Sequence, residues 1–413
     1  MNNYGKMILA ENQEYSLDCY KTQLNNNVLV VGASGAGKTR SIVTPNLLEA
    51  TGSYVVSDPK GNLYKKYGDY LRDKGYVVKK LDFTNPENSD RYNFFDYITS
   101  TQDIVSIAHM LIYGETNGNH QDPFWDQAGQ LLIQALIAYL RESQTPAEQN
   151  LHNLLKLVTI CCANGDMDNK DSMMDCLMKD HGRANPNSYA VKTYDKFRTA
   201  ASKTLRSILI TVNAKLGLFD TPEIKEMSWT DEMHISMVGQ EKTAVFVVVS
   251  DTDRSMDPLV NLFFTQAMNQ LCRYADRYCE DNCLPVPVRF ILDDFATNCK
   301  IAQFPRMISS IRSRGISTML MIQAEAQLAS SYGEDASTII SNCDTYVYLG
   351  GNDVKTAQAV AERADVPMKK ILNMPVGTNW IFRRGQAPIN GKNFDLDSYL
   401  EKYEIDSYRQ IAA

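Results

Sequence analysis

Several absences narrow the possibilities before any motif is considered. No stretch of the 413 residues reaches the roughly 18 uninterrupted apolar positions that a membrane-spanning helix requires. Met1 to Asp18 lacks the charged start, apolar core and cleavage site of a secretory leader, so the chain reads as soluble and cytosolic. Histidine is scarce, and His109, His120, His152, His181 and His234 are scattered without ligand spacing. The nine cysteines lack the paired short spacings of a zinc site or a disulfide framework. Even around Cys272, Cys279, Cys283 and Cys299 free thiols are the expectation. Basic residues are not in excess either: 42 Lys and Arg against 49 Asp and Glu give a net charge of -7. Any nucleic-acid surface must therefore be local. There is no internal repeat and no low-complexity tract.

What is present is the pattern of an α/β protein. Short, near-continuous apolar runs occur at Val28 to Val31, Ser53 to Ser57, Tyr76 to Leu81, Ala244 to Val249, Phe290 to Leu292, Thr318 to Ile322, Tyr346 to Leu349 and Trp380 to Phe382. Continuity rather than alternation marks strands buried on both faces, as in a mainly parallel sheet covered by helices. Helical periodicity fills the intervals at Thr39 to Ala50, Leu63 to Lys74, Pro258 to Tyr278, Phe304 to Arg314 and Val354 to Arg363. Between about Ile98 and Met237 the alternation stops and only helical periodicity remains. The expected organisation is an α/β domain in two parts, 1–97 and 238–413, interrupted by an all-α insert at 98–237. The strongest helix of that insert starts from Asp122-Pro123, with Trp125 expected in its core. Asn164 to Asp171 has a calcium-loop composition but the wrong spacing, and reads as a surface turn.

Gly32-Ala33-Ser34-Gly35-Ala36-Gly37-Lys38-Thr39 matches the phosphate-loop pattern G-x-x-x-x-G-K-[ST] between an apolar strand and a helix. Its glycines let backbone N–H groups wrap the phosphates of a nucleoside triphosphate, and the following helix adds the positive end of its dipole. Lys38 is expected at the β- and γ-phosphates and Thr39 on Mg²⁺, with Arg40 next to the loop. ATP and Mg²⁺ are the expected ligands.

A triphosphatase also needs carboxylates at a neighbouring strand end. Phe290-Ile291-Leu292-Asp293-Asp294 offers two, Asp293 to complete the metal shell and Asp294 to act as general base or to position water. An acidic strand end that caps the next helix is the bland alternative. Gln323, after the strand Thr318 to Ile322, is placed to sense the γ-phosphate. Arg312 and Arg314, just before that strand, are candidates to reach a neighbouring subunit's nucleotide, or else form surface salt bridges. Asp58 and Lys60 end the second strand at the same edge of the sheet, where either nucleotide contact or a plain turn fits. In the insert, Arg183, Lys192, Lys196, Arg198, Lys203 and Arg206 are interleaved with Tyr189, Tyr194 and Phe197. That stretch suits either a phosphate-backbone track or an amphipathic helix with a solvated basic face.

Several phrases taken together resemble the type IV coupling proteins, the conjugative DNA-transfer ATPases. They are Gly32 to Arg40, Pro45 to Leu48, Ser57 to Gly61, Leu292 to Phe295, Arg312 to Ser317, Ile322 to Leu328, Asn342 to Asp344 and Tyr348 to Asp353, with Phe124-Trp125 opening the insert. The resemblance spans roughly Met7 to Pro388. It implies a RecA-like P-loop motor interrupted by an all-α domain, a ring of six, and coupling of relaxase-bound DNA to a type IV secretion channel. It also implies nucleotide roles for Lys38, Thr39, Asp293, Asp294 and Gln323, with Arg312 the first choice for the arginine acting across the subunit boundary. Two features depart from the family pattern. Members usually begin with membrane-spanning helices, whereas this chain begins almost directly at the motor domain, which fits either a trimmed chain or, slightly favoured, a soluble form recruited to the membrane's inner face by a separate anchor protein. Members usually carry Glu where Asp294 stands, and the carboxylate one methylene shorter implies slow turnover. Two other readings fit the same motifs: a nucleotide-gated docking receptor that recruits relaxase without pumping, and a related DNA-translocating ATPase with another cargo.

Overall fold

The computed structural model describes residues 5–114, 124–163, 172–200 and 202–403. The chain divides into two compact units, one formed by 1–84, 234–252 and 267–413, the other by 85–233 and 253–266.

The first unit is built on a sheet of nine strands. In chain order these are β3 (Val28–Val31), β4 (Ser53–Pro59), β5 (Val77–Asp82), β6 (Thr243–Val249), β7 (Val288–Leu292), β8 (Ile316–Ile322), β9 (Thr345–Tyr348), β10 (Thr378–Arg383) and β11 (Ile389–Lys392). A separate antiparallel hairpin, β1 (Lys6–Ala10) and β2 (Gln13–Ser16), precedes them. The spatial order is β11-β10-β9-β3-β8-β7-β4-β6-β5. All pairings from β9 to β5 are parallel, and β10 and β11 continue the sheet as an antiparallel hairpin. The sequence reason is direct: every residue of β3, β6, β7 and β9 is buried, as strands covered on both faces must be. The two edge strands are more exposed: β11 has no buried residue, and β5 carries Lys79 and Lys80, charges that discourage pairing with another chain.

Consecutive crossovers put β8 between β3 and β7. The chain segments that follow these three strands therefore emerge side by side at their carboxyl ends, where ligands of open α/β sheets bind. The helix Asn62–Asp73 packs Leu63, Tyr67 and Leu71 into the same core cluster as Ile42 and Leu47 of the helix after β3. The expected single helix from Phe304 to Arg314 is instead two short turns, Phe304–Met307 and Ile311–Arg314. Ser309 and Ser310 hydroxyls bond back to the carbonyls of Arg306 and Met307, which competes with helix continuation.

The second unit is helical. Its longest described helices are Phe124–Ser143, Ser202–Leu216, Thr101–Tyr113 and Leu151–Ala163. Leu132, Ile133, Leu136 and Ile137 of the first are fully buried, and Lys215 ties to Asp126 at 2.5 Å. Capping boxes at Ser100/Asp103 and Ser172/Asp175 start two helices. Trp125 is half-buried and meets Phe124 edge to face. Asp122-Pro123 and Asn164 to Asp171 lie outside the described residues. In the basic stretch, Tyr194 and Phe197 are buried and Arg198 pairs with Asp175, while Lys192 and Lys196 face solvent. These aromatics are core, which leaves a solvated basic face rather than a stacking track. No helix among the described residues is long and apolar enough to cross a membrane.

Candidate functional site

The first unit holds a cavity of about 850 Å³ at the carboxyl ends of β3, β4, β7 and β8. Its wall includes Ser34 to Arg40, Asp58, Lys60, Asp293, Asp294 and Gln323. Gly32 and Ala33, expected among the binding residues, stand behind this wall. Their N–H groups are engaged by the carbonyls of Ile322 (3.1 Å) and Gly350 (2.9 Å). A Cβ on Gly32 would meet the Cβ atoms of Leu349 at 3.0 Å and Ala36 at 3.1 Å, so any side chain here would have to push its neighbours back by a few tenths of an ångström. Gly37 has φ +89°, a left-handed conformation that reverses the loop into the helix opening at Thr39.

Lys38 is buried, and its Nζ donates to the carbonyls of Gly32 (2.7 Å) and Ala33 (3.3 Å). Burial lowers its pKa, an effect opposed by the nearby carboxylates of Asp294 and Asp293. The Thr39 hydroxyl donates to Asp293 Oδ2 at 2.7 Å, and the Asp294 N–H donates to Asp293 Oδ1 at 3.1 Å. Asp293 is itself buried. Burial raises its carboxyl pKa, and Thr39's hydrogen bond pulls it back. Mg²⁺ commonly keeps several waters and takes one or two protein ligands plus substrate phosphates, so the Thr39 hydroxyl and Asp293 carboxylate suit it as a donor set. Asp294 has φ +51° and Ala296 φ +68°, two non-glycine residues in the left-handed region directly after β7. Backbone strain of this kind is tolerated where function requires a side chain to be held in place.

Gln323 is exposed at the end of β8 and lines the cavity. Its N–H donates to Gln327 Oε1 (2.7 Å), and Gln327 Nε2 donates to Thr297 Oγ1 (3.3 Å). Gln327 thereby ties the end of β8 to the loop that carries Asp294. Within the sequence it had no assigned role, and nothing but its spacing of four from Gln323 could have suggested one.

Asp58 accepts the N–H groups of Leu63 (3.0 Å) and Tyr64 (2.8 Å), which caps the helix Asn62–Asp73. Burial pushes its pKa up to about 6, helped by Asp293 and opposed by those N–H bonds. Lys60 pairs with Asp251 at 2.9 Å. Arg312 is placed elsewhere: it precedes β8, whereas the cavity lies at the strand's other end. Its guanidinium donates to the Cys19 carbonyl at 3.0 Å. Arg314 is held bidentately by Asp276 at 2.8 and 2.9 Å. A C-terminal contribution was not anticipated. Asn393 Nδ2 donates to the Ala36 carbonyl (3.4 Å), and Asp397 pairs with Arg40.

Residues 3–364 match the family model described as Type IV secretory system Conjugative DNA transfer. The chain belongs to that family. Among its relatives, Protein VirD4 of Rhizobium rhizogenes is 23% identical over 352 residues, covering 81% of this chain and 48% of that protein. The conjugal transfer protein TraG of Escherichia coli is 23% identical over 361 residues, covering 81% and 54%. The chain thus spans about half the length of the curated relatives it matches. In fold it is similar to the bacterial conjugative coupling protein TrwBdeltaN70, with a TM-score of 0.67 at 20% identity over 89% of this chain and 85% of that one. Plasmid coupling protein TrwB in complex with ADP and Mg²⁺ superposes with a TM-score of 0.65 at 20% identity, again over 89% and 85%. These likenesses assign the fold: a RecA-like P-loop architecture with a mainly parallel sheet.

Proposed function

We propose that this family member binds ATP with Mg²⁺ and hydrolyses it, and that hydrolysis drives transfer of relaxase-bound DNA toward a type IV secretion channel. The observation that carries the reading is the Thr39–Asp293 hydrogen bond beside Lys38, which assembles the phosphate loop and the metal carboxylate from distant parts of the sequence in one cavity. The relatives' printed names support the conjugative role, and solved TrwB complexes with ADP and Mg²⁺ and with the analogue ADPNP support the ligands.

In this reading Lys38 binds the β- and γ-phosphates, Thr39 and Asp293 hold Mg²⁺, and the N–H groups of the loop from Ser34 to Arg40 cradle the phosphates. Asp294 orients the attacking water and Gln323 reports the γ-phosphate. Arg312 cannot serve its own cavity from the far end of β8, so it acts on the nucleotide of the next subunit in a ring of six. The helical unit, expected at 98–237 and found as 85–233 with 253–266, is the separate domain of this motor. The motor works at the inner face of the cell membrane, where the secretion channel lies.

The short Asp294 side chain, on a left-handed backbone, favours a second reading: a docking receptor that binds nucleotide and relaxase with negligible turnover. The rate of ATP hydrolysis with and without single- and double-stranded DNA separates the two. DNA-stimulated turnover is expected. Nucleotide-dependent relaxase binding without turnover would replace the motor with the receptor.

A further inference from the structure

The cavity has two chemically different ends. Asp293, Asp294 and Gln323 mark the end where the γ-phosphate would lie. Around the Arg40–Asp397 pair the wall carries Leu396 and Leu400, with Tyr67 and Lys66 of the helix Asn62–Asp73. Three of these come from the C-terminal segment. It is fastened by Asn393 on the Ala36 carbonyl, by the Asp397–Arg40 ion pair, and by the Tyr399 hydroxyl donating to Glu49 Oε1 at 2.8 Å. Leu396 is buried in the same core cluster as Ile42, Leu47 and Tyr67. The helix Leu396–Lys402 is thus packed into the unit rather than laid over it.

We propose that this segment forms the nucleoside subsite of the cavity and selects for a ribose. The inference rests on the nucleotide-binding reading of the phosphate loop. A triphosphate held with its γ end at Asp293 and Asp294 extends its nucleoside toward the opposite wall, where Leu396 and Leu400 offer apolar surface to the base. Arg40 pairs with Asp397 Oδ2, which leaves Oδ1 to accept a hydrogen bond from a ribose hydroxyl, the use other nucleotide folds make of an acidic residue. Arg40, bracketed by the phosphate loop and Asp397, fixes the distance between phosphate chain and sugar.

The test measures binding of Mg²⁺-ATP, Mg²⁺-2′,3′-dideoxy-ATP and Mg²⁺-tripolyphosphate to the full chain and to its Asp397→Ala and Leu400→Ala variants. Asp397→Ala is expected to weaken ATP about tenfold, the loss of one hydrogen bond to a charged group. Tripolyphosphate binding should be unchanged, and the wild-type preference for ATP over the dideoxy analogue should disappear. Leu400→Ala should weaken both nucleosides and spare tripolyphosphate. Equal weakening of tripolyphosphate by Asp397→Ala would overturn the subsite, because the residue would then act through Arg40 on the phosphate loop. So would a wild type that binds ATP and tripolyphosphate equally well. A wild type that binds neither would overturn the nucleotide reading itself, and the subsite with it.

Discussion

The Thr39 hydroxyl and the Asp293 carboxylate meet at 2.7 Å, joining the first residue of the helix after β3 to the residue that directly follows β7. If this pair holds Mg²⁺, Thr39→Ala and Asp293→Asn should each raise the Mg²⁺ concentration for half-maximal ATP hydrolysis by about tenfold or more. Both substitutions leave the sheet untouched. Magnesium titrations of turnover check this, and an unaltered Mg²⁺ dependence in both variants would remove the pair from the metal site.

Lys38→Ala should abolish hydrolysis and weaken nucleotide binding while the fold persists, since its hydrogen bonds run only to carbonyls of its own loop. Asp294→Asn should keep nucleotide bound and slow its cleavage by about 10²- to 10⁴-fold, the usual worth of a positioned base. Asp294→Glu, which restores the longer side chain, should speed turnover. Single-turnover hydrolysis together with nucleotide binding checks all three; normal cleavage by Asp294→Asn would place the base elsewhere.

Because Arg312 and Gln323 flank opposite ends of β8, Arg312→Ala should be inactive alone yet recover activity in mixed rings with Asp294→Asn. At some boundaries each variant then supplies what the other lacks. Arg314, already clamped by Asp276, should not substitute for it. The readout is ATP hydrolysis in rings shown to contain both variants, and no recovery there would assign Arg312 a structural role.

Gln327 positions rather than reacts. Gln327→Ala should lower kcat with little change in KM, because it frees the end of β8 from the loop bearing Asp294. Gln327→Glu keeps the acceptor for the Gln323 N–H and loses the donor to Thr297, so it should fall between the two. A shift in KM alone would contradict the positioning role.

Asp58 sets a pH dependence of stability. Its folded pKa of about 6 lies above the ordinary 3.8, so between these values the folded chain holds a proton that the unfolded chain has released. The protonated form favours folding below about pH 4, and that advantage is lost as pH rises through 6. Asp58→Asn cannot titrate. Wild-type stability relative to this variant should therefore fall by roughly 2 kcal/mol between pH 4 and pH 7. Urea unfolding at the two pH values checks this, and a constant difference would mean that the carboxylate is already ionised at the lower pH.

The legible parts of this structure are those with local signals. Val28 to Thr39 announces strand, turn and helix within a dozen positions, and the unbroken apolar runs mark the parallel strands. The hairpin β1–β2 went unread because Lys6–Ala10 is short and lies outside the strand-helix alternation. Asn393 and Asp397 were illegible for a different reason: each meets the phosphate loop across a separation of 357 residues, with no motif around it. Tyr194 and Phe197 show the converse case: their interleaving with basic residues leaves two readings open until packing puts both rings in the core.

β8 has a further consequence. Its seven residues make a strut of about 23 Å at the usual rise per residue, paired with β7 from Ile316 to Leu320 and with β3 from Met319 to Ile322, and hard to compress. In the proposed motor, one end would carry Gln323, reading this subunit's own fuel, and the other would be preceded by Arg312, offered to a neighbour. In a closed ring such a strut would wire the subunits in series, so that spending the nucleotide in one retunes the site next door, and firing would pass around the ring in order instead of at random.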